Sequence, residues 1–119
     1  MQLRIIFDLD HTICIPNLEF KDIHRRYVMA KPIVKMIENV QRLHKKGFYI
    51  IIYTARGMLS CKGNAKLAFQ KNFSVTEKWL IDNGVPYDEL IFGKPYGDYY
   101  VDDKSLSFDG LDKLINNHL

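Results

Sequence analysis

Two aspartates stand directly after the first hydrophobic stretch of the chain. The apolar residues 5–7 run into Asp8 and Asp10, which are separated by a single leucine. Because alternate residues of a strand point to the same side, both side chains can converge where such a strand relaxes into a loop. Carboxylates aimed at one point repel each other unless a cation lies between them or one binds a proton. Since Mg²⁺ prefers oxygen ligands, this pattern indicates a metal-dependent site.

Polar residues also follow two further apolar stretches. Asp102 and Asp103 close residues 99–101, which are predicted to be a strand, and Thr54 closes residues 48–53. The continuous apolar run at 48–53 is typical of a parallel strand covered on both faces. In α/β proteins, ligands bind beyond the carboxyl ends of parallel strands. We therefore expect Thr54 and Asp102 to lie beside the first acidic pair, at one edge of a sheet.

The order of the predicted elements alternates strands with helices. Strands are predicted at 3–7, 48–53, 89–92 and 99–101, and helices at 32–47, 74–84 and 111–115. The helix at 74–84 is opened by the capping box of Ser74 and Glu77. Residues 13–31 and 55–73 show no clean periodicity and are predicted to be loops, the first of them a flap. The alternation predicts a doubly wound, three-layer α/β/α fold with a mainly parallel sheet.

One connection departs from this alternation. Residues 93–97, between the last two predicted strands, are too few for the helical crossover that parallel neighbours need. Either the strand at 89–92 is a short edge element, or it does not pair in the parallel pattern. The expected position of Lys94, which follows it, depends on which of these holds.

Composition sets broad limits. The chain has 119 residues, of which 47% are hydrophobic and 26% charged, as expected of one globular domain spanning residues 1–119. A formal charge of +3 permits anionic substrates and does not argue for nucleic acid. No apolar run is long enough to cross a membrane, and the first strand starts too early to leave room for a signal peptide. With Cys14 and Cys61 interpreted as free thiols, we expect a cytoplasmic protein.

Four segments, in order, make the chain resemble the haloacid dehalogenase superfamily of phosphohydrolases. They are Phe7-Asp8-Leu9-Asp10-His11-Thr12, Ile52-Tyr53-Thr54, Phe92-Gly93-Lys94-Pro95 and Val101-Asp102-Asp103. The resemblance covers nearly the whole chain and implies that superfamily's Rossmann-like fold. Residues 13–31 stand where larger relatives insert a cap domain, and there is room here only for a flap, so no cap domain is expected.

The resemblance also implies a role for each matched position. Asp8 would attack phosphorus and form an aspartyl-phosphate, and Asp10 would act first as general acid and then as general base. The Thr54 hydroxyl would donate a hydrogen bond to a phosphate oxygen, and Lys94 would neutralise the negative charge of the phosphate. Mg²⁺ would be bound by Asp8, Asp10 (through its backbone carbonyl) and Asp102. Asp103 would bind it directly or through water, or would orient Lys94.

A narrower resemblance concerns the substrate. Tyr53-Thr54-Ala55-Arg56, Gly63-Asn64, Val85-Pro86-Tyr87-Asp88, Gly93-Lys94-Pro95 and Val101-Asp102-Asp103-Lys104 resemble the small phosphatases of bacterial capsule polysaccharide biosynthesis. The substrate implied is a small polar metabolite, such as a sugar phosphate or a phosphorylated precursor of a surface polysaccharide. Arg56, Lys62 and Asn64 are candidate substrate contacts together with Thr54 and Lys94, although a solvated loop explains the first three equally well.

Alternatives remain open at this point. An open site without a cap would also admit a phosphoprotein or a nucleic-acid end, although no aromatic and basic stripe suited to nucleic acid is present. A phosphate-binding signalling module without turnover would use similar residue types, but in receiver domains the acidic pair follows the first strand. Because phosphoryl transfer benefits from exclusion of water, a second copy of the chain is expected to serve as the missing lid.

Overall fold

A three-stranded parallel sheet forms the centre of the structure, a computed structural model that describes residues 2–118. Its strands are β1 (Arg4–Phe7), β4 (Tyr49–Thr54) and β5 (Glu89–Phe92), in the spatial order β1-β4-β5. In the register, Phe7 lies opposite Ile52 and Thr54 lies opposite Phe92. The carboxyl ends of all three strands therefore meet at one edge, as the sequence predicts.

The connection from β1 to β4 contains the flap, residues 13–31, and the first long helix; the flap carries short elements and is not the loop that the sequence predicts. The flap holds β2 (Cys14–Ile15), α1 (Ile23–Val28) and β3 (Lys31–Pro32), with β2 and β3 paired antiparallel. It is fastened to the body of the protein by Trp79, whose indole N–H donates to the carbonyl of Ala30 at 3.0 Å. The helix α2 (Val34–Lys45) then buries one apolar stripe against the sheet.

The prediction that residues 55–73 form a long loop is wrong. Helix α3 spans Ala65–Asp82, and its N-cap is Asn64, whose side chain accepts the Leu67 N–H at 3.0 Å. The predicted capping box at Ser74 lies in the middle of this helix. The sequence signal was weak because the first half of α3 carries few buried residues, whereas the second half buries Trp79 and Leu80.

Strand β5 settles the open question about the third strand. It pairs parallel with β4 at the edge of the sheet, and α3 supplies the crossover between them. The ladder is extended by Asp88, whose carboxylate accepts the Ile50 N–H at 2.7 Å. The short connection after β5 therefore creates no conflict, because within residues 2–118 no further strand follows it.

The prediction of a strand at 99–101 is wrong. These residues lie in a stretch between β5 and α4 (Phe108–His118) to which no helix or strand is assigned, and Val101 is fully exposed. The Tyr100 hydroxyl donates to the Pro95 carbonyl at 2.6 Å and accepts the Gly97 N–H at 3.1 Å. This closes the segment on itself, so its β-favouring side chains have no partner strand.

The hydrophobic core confirms the predicted fold class. Side chains of β1, β4, α2, α3 and α4 form one buried cluster, to which Leu111 and Ile115 of α4 contribute. The fold is a small α/β fold with a mostly parallel sheet and no cap domain. None of the helices within residues 2–118 combines the length and apolar character that crossing a membrane requires.

Candidate active site

A cavity of about 730 Å³ opens at the carboxyl edge of the sheet. Asp8 follows β1, Thr54 ends β4, and Lys94 comes two residues after β5; all three line the cavity, together with Asp10 and Arg56. The three strands thus deliver a carboxylate, a hydroxyl and an ammonium group to the same space. This is the arrangement expected of a ligand site in an open α/β sheet.

Asp8 and Lys94 form an ion pair inside the cavity. The Lys94 Nζ atom lies 3.2 Å from Asp8 Oδ1, and the Thr12 hydroxyl lies 3.4 Å from Asp8 Oδ2. The Lys94 side chain is 17% exposed and that of Asp8 is 37% exposed, so Asp8 remains open to a ligand. Lys94 also lies against the Tyr100 ring, with its Nζ atom 4.3 Å from the ring centroid.

The backbone between the two aspartates is tightly turned. The Leu9 carbonyl accepts N–H groups of the residues that follow, including Thr12 at 3.1 Å and Ile13 at 2.8 Å. His11 adopts φ of +66°. This left-handed conformation is unfavourable in free energy for any residue that carries a side chain. Such local strain is often found at functional sites. Here it turns the chain so that both aspartates face the cavity.

Asp10 is held by Arg56, which corrects the expectation that Arg56 contacts substrate. The Arg56 Nη2 atom lies 2.8 Å from Asp10 Oδ1, and Nε lies 3.0 Å from Oδ2. The Arg56 side chain is 0% exposed, so its guanidinium group is engaged by Asp10 and is not open to a ligand. Burial alone would lower the pKa of Arg56, but the hydrogen bonds and negative charge of Asp10 outweigh it and raise that pKa above its ordinary value.

Thr54 lies where the sequence predicts. Its side chain is buried and lines the cavity, and its Oγ1 atom accepts the Arg56 N–H at 3.1 Å. A hydroxyl that accepts one hydrogen bond can still donate its own hydrogen. Thr54 is therefore able to donate to a phosphate oxygen in the cavity.

Asp102 and Asp103 are not brought to this cavity, so the expectation that they face Asp8 is not met here. Neither lines the cavity, and both are exposed. Asp102 makes a turn instead: its Oδ1 accepts the Lys104 N–H at 2.9 Å, and this bond, followed by one with Asp103, lowers the pKa of Asp102. The physical reason is that residues 99–101 do not form the strand that would have aimed the pair inward.

Lys62 and Asn64 also lie away from the cavity lining. Lys62 is exposed in a turn with φ of +54°, and Asn64 uses its side chain to cap α3. Their expected role as substrate contacts therefore has no support from the geometry. The side chain that Asn64 offers is already engaged by the helix it begins.

Several residues that line the cavity were not among the sequence candidates. His11, Arg26, Tyr27, Tyr96 and Tyr100 all contribute to the walls. Tyr100 belongs to the segment 99–101 that the sequence predicts to be a strand, whereas Tyr96 lies in the short connection before it. The flap itself is predicted from its place in the sequence, but its lack of clean periodicity does not indicate which of its side chains reach the cavity.

The donors at the cavity fit a magnesium ion only in part. Within residues 2–118, no three or more His, Cys, Asp or Glu side chains are grouped closely enough to hold a metal ion. In many phosphoryl-transfer sites, however, Mg²⁺ is bound by one or two carboxylates together with substrate phosphate and water. The partly exposed Asp8 carboxylate matches that kind of site, whereas the Asp10 carboxylate is occupied by Arg56.

Comparisons with known proteins support the fold. No protein-family model matches the chain, and no curated protein matches it. A crystal structure of a structural genomics target from Vibrio cholerae is similar, with a TM-score of 0.77 and 27% sequence identity. The match covers 99% of this chain and 100% of that one. The α/β fold is therefore shared along the full length of both, and any function for this chain has to be argued from its own site.

Proposed function

We propose that this protein is a phosphomonoester hydrolase that uses Asp8 as its nucleophile. The observation that carries the proposal is the ion pair of Asp8 and Lys94 in a cavity that Asp10 and Thr54 also line. A carboxylate attacking a phosphate dianion must overcome charge repulsion, and a fixed ammonium group beside it lowers that cost. The four-segment resemblance to the haloacid dehalogenase superfamily supports the same chemistry.

The proposed reaction has two displacements. Before the first displacement, the Asp10 carboxylate binds a proton from solvent. An Asp8 oxygen then forms a bond to phosphorus while the bond to the ester oxygen breaks, and that oxygen takes the proton from Asp10. Water then attacks phosphorus, Asp10 accepts its proton, and cleavage of the bond to Asp8 releases inorganic phosphate. The ester and water become an alcohol and phosphate, and both aspartates return to the forms in which they enter the first displacement.

Cations and donors around Asp8 would assist both steps. Lys94 and the Thr54 hydroxyl are placed to contact the phosphate oxygens, and Thr12 supports Asp8. Mg²⁺, held by the Asp8 carboxylate and the Asp10 backbone carbonyl, would add charge neutralisation when bound. Direct binding of Mg²⁺ by Asp102 and Asp103 stays a prediction.

The proposed substrate is a small phosphate monoester such as a sugar phosphate or a phosphorylated precursor of a surface polysaccharide. This class rests on the resemblance to the capsule polysaccharide phosphatases, and the cavity volume of about 730 Å³ is ample for such a molecule. A cytoplasmic location and a homo-oligomer that shields the site stay predictions on the same footing.

Phosphate release from a panel of phosphate esters tests this function. The panel contains sugar phosphates, phosphopeptides and nucleotide 3′-phosphates, each with Mg²⁺ and with a chelator. We expect turnover of at least one sugar phosphate by the unaltered chain with Mg²⁺, and none with Asp8→Asn. The matched control is Asp109→Asn, which removes the same charge from an exposed site on α4 and should leave the rate unchanged.

The other outcomes discriminate between the alternatives. Turnover confined to phosphopeptides or nucleotide ends would replace the small-metabolite substrate with a macromolecule. No turnover of any ester, combined with stable binding of beryllium fluoride to a folded protein, would contradict hydrolysis and favour a phosphate-binding module.

A further inference from the structure

Each of the three guanidinium nitrogens of Arg56 donates a hydrogen bond. Its Nε atom lies 3.2 and 3.0 Å from the two Asp10 oxygens, and Nη2 lies 2.8 Å from Oδ1. The remaining nitrogen, Nη1, donates to the Thr76 hydroxyl at 3.0 Å. A planar guanidinium that contacts a carboxylate through two nitrogens constrains its orientation as well as its position, which a lysine does not do.

Three other elements hold this group from its remaining sides. Thr76 belongs to α3, and Tyr27 of the α1 flap places its ring centroid 4.0 Å from the guanidinium carbon. The Cys14 sulfur lies 3.5 Å from Nη2. The Arg56 side chain is 0% exposed, whereas Asp10 is 22% exposed and lines the cavity. Arg56 is therefore positioned to affect a reaction in the cavity through its contact with Asp10.

We propose that Arg56 is a positioning residue that orients the Asp10 carboxyl group for proton transfer to the leaving oxygen; this rests on the proposed function. An aspartate side chain with no fixed partner rotates about two bonds, and proton transfer requires a donor within hydrogen-bonding distance of the oxygen. A displacement of about 1 Å in a catalytic group can cost on the order of 100-fold in rate. Arg56 itself transfers no proton and keeps its charge throughout. Buried ion pairs add little to stability on balance, so the complete set of contacts is better explained by orientation.

Leaving-group dependence tests this role. An aryl phosphate that releases 4-nitrophenolate needs little proton donation, whereas an alkyl phosphate depends on it. Release of the alcohol is followed in a single turnover, because the later attack of water uses Asp10 whichever ester is supplied. For Arg56→Lys we expect the single-turnover rate of alcohol release from the alkyl ester to fall on the order of 100-fold, and that of 4-nitrophenolate release from the aryl ester to fall only about threefold. Asp10→Asn should give the same discrimination, and adding Arg56→Lys to Asp10→Asn should cost nothing more. The matched control Arg42→Lys, an exposed position on α2, should change neither rate.

A second pair of variants tests the same role if Arg56→Lys does not fold. Thr76→Val removes the hydroxyl that accepts from Nη1 at nearly constant volume, and Thr76→Ser keeps it. Thr76→Val should show the same preferential loss on the alkyl ester in smaller degree, and Thr76→Ser should not. Circular dichroism and a thermal melt establish that each variant is folded.

Each outcome decides between specific alternatives. Equal loss on both esters in the folded variants, or a full additional loss when Arg56→Lys is combined with Asp10→Asn, would overturn the positioning role and leave Arg56 a structural residue. Failure of the unaltered chain to hydrolyse these two esters and every ester of the panel above would instead remove the proposed function, and this inference with it.

Discussion

Lys94, which follows β5, meets Asp8, which follows β1, across the end of the strand that separates them. The two side chains approach to 3.2 Å, and the Lys94 N–H donates to the Thr54 carbonyl at 3.2 Å. Lys94 is therefore held through both its backbone and its side chain, the first on β4 and the second on β1. This places a fixed cation beside the proposed nucleophile, and the Tyr100 ring of the following segment lies against the same ammonium group.

Replacing Lys94 by Met should lower hydrolysis by about 100- to 1,000-fold, the usual cost of removing one charge-stabilising donor. Stability should change little, because an ion pair with a partly exposed carboxylate contributes about 1 kcal/mol or less. Steady-state rates on the best ester of the panel and a urea titration measure the two effects. The matched control is Lys45→Met, which removes an exposed charge at the end of α2. Equal rates for the two variants would contradict the proposed role of Lys94.

The two active-site aspartates should differ in their effect on stability. Asp10→Asn leaves the fully buried Arg56 without an anionic partner. Removing one partner of a buried ion pair costs about 3 kcal/mol at the lower end of the usual range. We expect a cost near that lower end because Asp10 is partly exposed. Asp8→Asn should cost about 1 kcal/mol or less, because both Asp8 and Lys94 are reached by solvent.

Urea unfolding of the two variants checks this difference, and the double variant Asp10→Asn/Arg56→Met serves as the control. Replacing both partners removes the unpaired charge, so it should recover part of the stability lost in Asp10→Asn. Equal midpoints for Asp8→Asn and Asp10→Asn would show that Arg56 does not depend on Asp10 for its burial.

The site residues whose positions the sequence predicts correctly are those that follow local runs of apolar residues. Asp8, Asp10 and Thr54 each stand at the end of an apolar run, and those runs form β1 and β4 within one residue of the predicted bounds. Lys94 also falls where its motif implies, because β5 pairs parallel with β4. Local hydrophobic pattern is sufficient for these residues because a buried parallel strand reads as a continuous apolar segment.

The remaining features depend on long-range contacts that no local pattern reports. The role of Arg56 follows from its distance to Asp10, forty-six positions away along the chain, and from burial that its charge would not suggest. The stretch at 99–101 has strand-forming residues, yet strand formation needs a partner, and Tyr100 bonds to Pro95 instead. Helix α3 begins at Ala65, nine residues before its predicted start; its first half buries only Ala68, so the apolar pattern there does not indicate a helix.

Two glycines, Gly93 beside the site and Gly47 away from it, both adopt a left-handed backbone conformation. Substituting each by Ala distinguishes the cost of that conformation from an effect on the site. Gly93 has φ of +96°, and a Cβ atom there would lie 3.0 Å from the Ala65 Cβ; Gly47 has φ of +94° and nothing within 4 Å. Each substitution to Ala should cost about 1–2 kcal/mol for the backbone conformation. Gly93→Ala should cost more and should also reduce activity, because the added contact displaces the neighbouring Lys94. Gly47→Ala should keep full activity. Unfolding titrations and steady-state rates measure both, and loss of activity in Gly47→Ala would show that the effect is not local to the site.

The buried Cys14 thiol should make the fold sensitive to alkaline pH. Burial first, and then the negative charge of Asp10, raise the pKa of Cys14 from 9.0 to about 12. In the unfolded chain the thiol loses its proton near the lower value, so between these limits the unfolded state binds fewer protons and stability falls as pH rises. The loss reaches about 1.4 kcal/mol per pH unit from this one group. Burial raises the pKa of Tyr27 as well, which acts in the same direction.

Unfolding titrations at pH 8, 9, 10 and 11 on the unaltered chain and on Cys14→Ala measure this dependence. The slope of unfolding free energy against pH should be shallower for Cys14→Ala above pH 9, whatever the offset that the lost side chain causes. The native thiol should also resist alkylation by iodoacetamide at pH 9, whereas the same thiol in urea should react. Parallel slopes for the two chains, or alkylation of native Cys14 at the rate seen in urea, would contradict a buried thiol held protonated beside Arg56.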